Sequence, residues 1–254
     1  MKLTFLGTGT SQGVPVIACD CDVCLSDDQR DKRLRTSVMI TINDINFVID
    51  CGPDFRQQML REQVLDVRAI LFTHEHKDHL AGMDDVRAFN FKHKKDIDVY
   101  CDLNVQRALL REYPYVFSDF KYPGVPQVKI HQITRDQTFS IDGVLFKPIE
   151  VMHHKLPVLG FRIHDLTYIT DAKTISLDQM QKIKGTRILV VNALRIREHI
   201  SHFNLEEALS FIDEINPEVA YLTHISHLMG CHKDVSKQLP DHVKFAYDGL
   251  QIEI

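Results

Sequence analysis

The stretch Thr73-His74-Glu75-His76-Lys77-Asp78-His79 constrains this chain more than any other. It follows directly on the apolar run 69–72, which reads as a strand ending in a loop. Four ligand-type side chains, His74, His76, Asp78 and His79, fall within six residues. They cannot all face one way on a regular helix or strand, but a loop can curl them around a point. Imidazole with carboxylate suits zinc, manganese or iron. Leu80-Ala81-Gly82 then reads as the opening of a helix whose N-terminal dipole favours an anion beside the metals.

Three more apolar runs stop at a ligand-type residue: 47–49 at Asp50, 168–170 at Asp171 and 220–223 at His224. One such Asp is an ordinary turn former, but together they converge with the histidine loop on one rim. Strands are expected at 2–6, 37–42, 45–49 and 69–72, and again at 128–131, 144–152, 159–163, 166–170, 187–191 and 219–223. Helices are expected near 54–63, 102–112, 176–183 and 204–215, the last two opened by Ser176 and Asn204 as N-caps. Asn43-Asp44 reads as a hairpin turn. Hairpins mixed with strand–helix alternation predict an α/β protein, a four-layer αββα sandwich of two mixed sheets with helices outside. No repeat or linker interrupts residues 1–254, so a single domain is expected, with a cysteine loop at 19–24.

Cys19, Cys21 and Cys24 stand within six residues of a chain that holds six cysteines. The chain has no apolar run long enough to span a bilayer, and its start reads straight into a strand, so a cytoplasmic protein is expected. In that setting clustered cysteines point to metal before disulfides. The charge balance, 30 basic against 35 acidic residues, offers no basic arm for RNA.

The H-x-H-x-D-H loop with the later His, Asp and His resembles the metallo-β-lactamase superfamily, over the whole chain. The resemblance implies two sheets with a dinuclear metal site along one edge. His74, His76 and a mid-chain histidine would bind one ion, Asp78, His79 and His224 the other, and Asp171 would bridge them. Asp50 would orient a ligand histidine and set its tautomer. For the mid-chain ligand, Met152-His153-His154-Lys155-Leu156 offers two neighbours, of which strand alternation turns one inward. The family pattern His-x-Lys-Leu before Leu159-Gly160-Phe161 favours His153, with His154 the alternative.

Within that superfamily the chain is most similar to the PhnP-type cyclic phosphate phosphodiesterases. The shared features are Gly7-Thr8-Gly9-Thr10-Ser11-Gln12-Gly13-Val14-Pro15, Cys19-Asp20-Cys21-Asp22-Val23-Cys24, Thr223-His224-Ile225-Ser226-His227 and Asp248-Gly249. By this resemblance Cys19, Cys21, Cys24 and His227 hold a separate zinc, a closed tetrahedral set with no open position for chemistry. Cys51, Cys101 and Cys231 stand apart and are expected in the core or as incidental residues. Residues 84–122 match no motif and are expected to shape substrate access.

The implied enzyme is a dinuclear hydrolase with two catalytic ions, zinc or manganese, and one structural zinc. It would hydrolyse a small phosphodiester, cyclic or linear, with a metal-bound hydroxide, water coordinated to such ions ionising near pH ~7. His202, just ahead of the helix expected at 204–215, is the acid candidate for the leaving alkoxide. Arg197 offers a planar fork to a phosphate oxygen. Asp78 and Asp50 complete the catalytic set. The alternatives are a thioesterase or lactonase on the same metals, or a tRNA-processing nuclease. The expected partner is a small-molecule phosphodiester, with no membrane or nucleic acid, and the resemblance implies a homodimer.

Overall fold

The structure is a computed structural model that describes residues 1–120 and 122–254. Lys121, inside the 84–122 segment, lies outside the described residues. The chain sorts into two compact units, each assembled from separated stretches. The first takes Met1–Gly7, Arg35–Thr134 and Gly249–Glu253; the second takes Thr8–Leu34, Arg135–Asp248 and Ile254.

The first unit holds one mixed seven-stranded sheet. Its strands are β1 (Lys2–Gly7), β2 (Ser37–Ile42), β3 (Ile45–Ile49), β4 (Ala69–Leu71), β5 (Ile97–Cys101), β6 (Val128–Gln132) and the last strand of the chain, β14 (Gln251–Glu253). They run in the order β14-β1-β2-β3-β4-β5-β6. The β14–β3 half is antiparallel and the β3–β6 half parallel. Asn43 and Asp44, with φ of 50° and 63°, close the β2–β3 hairpin, the twist that a two-residue hairpin favours. The helix Phe55–Arg61 crosses from β3 to β4 and buries Phe55 and Met59 against Val48, Ile70 and Phe72. Strand β5 was not expected from the sequence. It alternates Ile97, Val99 and Cys101, all buried, with half-buried Asp98 and Tyr100.

The second unit holds the other mixed seven-stranded sheet. Its strands are β7 (Phe139–Ile141), β8 (Val144–His153), β9 (Leu156–Ile163), β10 (Leu166–Tyr168), β11 (Ile188–Asn192), β12 (Val219–Thr223) and β13 (Val243–Phe245). β7 to β10 form an antiparallel meander, and β10 to β13 are parallel. Parallel strands need crossovers, supplied by the helices Leu177–Ile183 and Leu205–Ile215. Asn204 caps the second in a full capping box with Glu207. Ser176 does not cap the first; its hydroxyl donates to Asp178 instead. The observed architecture is thus the expected α/β class with two mixed sheets and helices. Among the described residues no helix is long and apolar enough to cross a membrane.

Both units end parallel strands on ligand-type residues, and three of these share a rare backbone. Asp50 after β3, Asp171 after β10 and His224 after β12 have φ of 66°, 57° and 55°. Side chains other than glycine seldom adopt this left-handed region, and it concentrates at functional sites. Each strand therefore turns sharply where it delivers its ligand, at the carboxyl end where α/β sheets carry their sites.

Candidate metal centre

In the first unit Asp50 is wholly buried at the end of β3, beside Thr73 at the end of the neighbouring β4. Its carboxylate accepts from the Thr73 amide at 2.8 Å, the Thr73 hydroxyl at 2.8 Å and His79 Nδ1 at 2.7 Å. The Thr73 hydroxyl in turn accepts from His74 Nδ1 at 3.0 Å. This relay puts the ring protons of His74 and His79 on Nδ1 and leaves both Nε2 lone pairs as metal donors. Burial raises the Asp50 pKa, while the His79 and Thr73 bonds oppose it. His74 Nε2 lies 3.0 Å from His76 Nδ1, and His79 Nε2 lies 3.2 Å from Asp78 Oδ2. Two donors bound at about 2.1 Å to one tetrahedral ion sit about 3.4 Å apart, so both separations suit cation ligation.

The loop reaches this geometry through two glycines. The Cys51 amide donates to the His79 carbonyl at 2.7 Å, and the Gly82 amide to the Cys51 carbonyl at 2.8 Å. A Cβ on Gly52 would stand 2.1 Å from the Asp78 carbonyl oxygen, and one on Gly82 would stand 2.0 Å from that of Gly52. A four-residue helix, Lys77–Leu80, carries Asp78 and His79 themselves, and the helix expected after Leu80-Ala81-Gly82 opens as a 3-10 turn, Met83–Val86, that runs directly into the helix Arg87–His93. That opening turn carries Asp84 and Asp85, whose carboxylates already occupy the positive end expected to favour an anion.

In the second unit Asp171 Oδ1 lies 3.3 Å from His224 Nε2 and 3.7 Å from His202 Nδ1. The Thr170 hydroxyl donates to Asp171 Oδ2 at 2.7 Å. His153, at the end of β8, donates Nδ1–H to the Ser201 carbonyl at 2.9 Å, which leaves its Nε2 as donor atom. The His153 and His202 rings are 4.4 Å apart, and His202 and His224 stack at 4.8 Å. One donor atom each from His153, Asp171 and His202 lies within 4.8 Å of the others. His154 is exposed in the left-handed turn after β8. Burial lowers the His202 pKa to about 3, against the pull of Asp171, so the imidazole is neutral near pH 7.

Asn192, Thr73 and the Ser201 carbonyl were not singled out in the sequence. Asn192 ends β11 fully buried, and its side chain clamps Ala172 through both peptide groups, at 2.7 and 3.0 Å. An apolar run that ends on Asn, in the strand next after the one that leads to Asp171, was the available signal. Arg197 is exposed on the loop ahead of His202.

The cysteine set is compact. The Sγ atoms of Cys19, Cys21 and Cys24 lie 3.3, 3.3 and 3.6 Å from His227 Nδ1. Bonds of about 2.3 Å to sulfur and 2.0 Å to nitrogen at a tetrahedral ion place S and N about 3.5 Å apart, so these residues fit zinc. The Cys24 backbone, followed by the His227 side chain, lowers the Cys21 thiol to about 6, whereas burial lifts Cys24 to about 11. Cys51 and Cys101 are buried core thiols as expected. Cys231 is not a core residue: it is half-buried and packs against the Val14, Val23 and Cys24 cluster.

Strand-end His and Asp clusters, one on each of two mixed sheets, match the metallo-β-lactamase pattern, and comparison with known proteins agrees. Residues 45–225 match the model of the β-lactamase superfamily domain. The crystal structure of a diphosphatase from the PhnP family superposes with a TM-score of 0.93 at 36% identity, covering 100% of this chain and 97% of that one. The chain belongs to the β-lactamase superfamily and, within it, to the PhnP family. It is also 39% identical to an octanoyltransferase of Porphyromonas gingivalis over 99% of its own length, but over only 51% of that protein. A ribonuclease Z of Acaryochloris marina is 28% identical over 65% of this chain and 48% of its own. The chain thus spans about half the length of these curated relatives.

Proposed function

We propose that the chain is a metal-dependent hydrolase of small phosphodiesters, cyclic or linear. The observation that carries this reading is the set of strand-end carboxylates and histidines whose ring protons are already committed to Asp50, Thr73 and Ser201. The similarity to a PhnP-family diphosphatase supports phosphorus chemistry. Because the family match runs from residue 45 to 225, through both units, we read the chain as one functional domain. The ligand assignment is the one the resemblance implies for His74, His76, Asp78, His79, His153, Asp171 and His224, and Cys19, Cys21, Cys24 and His227 take a structural zinc.

Divalent ions held by such ligands supply, when bound, a nucleophile from water near neutral pH and positive charge for the phosphoryl oxygens. The chain does the rest. Asp50 fixes the tautomers of His79 and, through Thr73, of His74. Asp171 and Asp78 contribute the carboxylates. His202, whose Nδ1 lies 3.7 Å from an Asp171 oxygen that favours its protonated form, would supply the proton to the departing alkoxide. Arg197 meets a phosphoryl oxygen.

The test is turnover of bis(p-nitrophenyl) phosphate against an octanoyl thioester by the zinc- or manganese-loaded protein. Phosphodiester turnover alone is expected. Thioester turnover alone would replace this reading with acyl chemistry, which the octanoyltransferase similarity favours as the second candidate. The ribonuclease Z similarity is weaker support for a nuclease, and with 30 basic against 35 acidic residues no salt-sensitive RNA binding is expected. A homodimer in solution is part of the proposal, checked by sedimentation.

A further inference from the structure

A loop in the second unit carries Arg197, His199 and His202, and its shape is held at both base and tip. At the base the Leu194 amide donates to the Phe203 carbonyl at 2.9 Å and the Leu205 amide to the Arg195 carbonyl at 3.0 Å. At the tip the Arg195 guanidinium turns back on its own loop, donating from Nε to the Arg197 carbonyl at 3.2 Å and from Nη2 to the Glu198 carbonyl at 2.7 Å. The Arg197 side chain is exposed and has no partner among the described residues. The two arginines thus have different jobs: one shapes the loop, and the other is left to meet a ligand.

Beside this tip lies a cavity of about 550 Å³ lined by Arg195, Ile196, Arg197 and Leu228. Single exposed aliphatics are ordinary on a protein surface. Here Ile196 and Leu228, 49% and 54% exposed, line one cavity whose other walls are guanidinium-bearing residues. Leu228 is fixed there, because its amide donates to the Ser226 hydroxyl at 3.2 Å and the Ser226 amide to the Leu194 carbonyl at 2.9 Å, at the base of the same loop. A free guanidinium between two aliphatic walls matches an anion that bears an apolar body.

We infer that this cavity is the subsite for an apolar esterifying group of the phosphodiester, walled by Ile196 and Leu228, and that Arg195 is its positioning residue. The inference rests on the phosphodiesterase reading and assigns the substrate class as diesters with at least one aryl-sized apolar group. Arg195 forms part of the wall and acts through the loop: it keeps Ile196 and Arg197 at the cavity by holding the Arg197 and Glu198 carbonyls.

The experiment compares phenyl p-nitrophenyl phosphate with methyl p-nitrophenyl phosphate on the metal-loaded protein, reading kcat and KM separately. Wild type should prefer the phenyl ester. Leu228→Ala and Ile196→Ala should each cut the phenyl-to-methyl ratio of kcat/KM about tenfold, through KM, the order of effect that lost methylenes have in an apolar pocket. Arg195→Ala should cut it likewise, and Arg195→Lys should recover part of it, since an ammonium reaches one carbonyl of the two. An unchanged ratio in all four variants, with unchanged melting and metal content, overturns the inference. If Arg195→Ala fails to fold, Arg195→Lys and Leu228→Ala decide. If wild type hydrolyses neither ester, the phosphodiesterase reading fails, and equilibrium binding of phenylphosphonate then decides the cavity. Binding about tenfold weaker in Leu228→Ala keeps the subsite, and equal binding removes it.

Discussion

Asp50 shows how much of this protein rests on single side chains in costly conformations. It combines a left-handed backbone, complete burial and a carboxylate shared between Thr73 and His79. Asp50→Asn should keep the fold but weaken binding of the His/Asp ions by about 10–100-fold, the usual cost of losing the group that orients a ligand histidine. Metal analysis of the dialysed variant, with the cysteine-bound ion as internal standard, checks this. His202→Ala should slow alkyl or cyclic diesters by ~10²–10⁴-fold, as for lost acid–base catalysis, and p-nitrophenyl diesters far less, because p-nitrophenolate departs unaided. Equal slowing of both, measured by steady-state kinetics, would make His202 a ligand or a packing residue. His232 carries a third prediction. Its Nδ1 accepts from the buried Arg33 guanidinium at 3.2 Å, and burial, then Arg33 and Arg30, lower its pKa to about 4, against the weaker pull of Asp28 and Asp31. Below pH 6.5 the unfolded chain therefore binds a proton that the folded one refuses. The stability that His232 contributes is whole above pH 6.5 and is lost as pH falls towards 4. His232→Gln, which keeps an acceptor for Arg33, should flatten the fall of Tm across that window. Asp50 and His202 were legible from their places beside apolar runs and caps. His232 was not, because nothing near it in sequence announces the buried Arg33.

At the scale of elements, the sharp strand ends and the close approach of two loops matter more than any helix. Gly52→Ala forces a methyl group against the Asp78 carbonyl oxygen, where a Cβ has 2.1 Å. It should cost about 1–3 kcal/mol, as overpacking does, and should also displace Asp78 and lower metal content, whereas Gly143→Ala meets no atom within 4 Å and should only strain its turn. Thermal melting with metal analysis separates the two. The helix Leu205–Ile215 was legible from its N-cap Asn204, and the structure adds Glu207, whose side chain closes a capping box; Asn204→Ala should lower stability by about 1 kcal/mol, measured by denaturant unfolding. Ser176 carried the same signal and forms no cap, because Asp178 two residues on takes its hydroxyl. β5 was missed because Asp98 and Tyr100 interrupt its apolar residues. Asp98 is held at the sheet by His131 on β6 and by Arg68, just ahead of β4, partners that local patterning does not reveal.

For the whole molecule, the ligands sort into a sulfur-rich set and a His/Asp set that should part under chelation. Mild chelator should remove turnover while the cysteine-held ion and the far-ultraviolet dichroism persist, since thiolates hold zinc more tightly than carboxylates do. Cys21→Ala should instead lose that ion and lower Tm, because the 19–24 segment has a small apolar cluster, Val14, Val23 and Cys24, to hold it without metal. Sequence alone determined the α/β class and the crowding of ligand-type side chains at 73–79, and the family resemblance implied that Cys19, Cys21 and Cys24 meet the distant His227, which the structure brings together with them. The first two are legible because strand periodicity and loop-borne imidazoles are local and chemically unusual. Tertiary structure decided which of His153 and His154 joins Asp171, that Thr73 carries Asp50's influence to His74, that Asp78 and His79 ride a four-residue helix, and that Arg195 shapes its loop while Arg197 stays free. Each of these depends on which backbone carbonyl, carboxylate or glycine comes near from elsewhere in the chain. Such proximity is set by sheet order and left-handed turns rather than by neighbours in sequence.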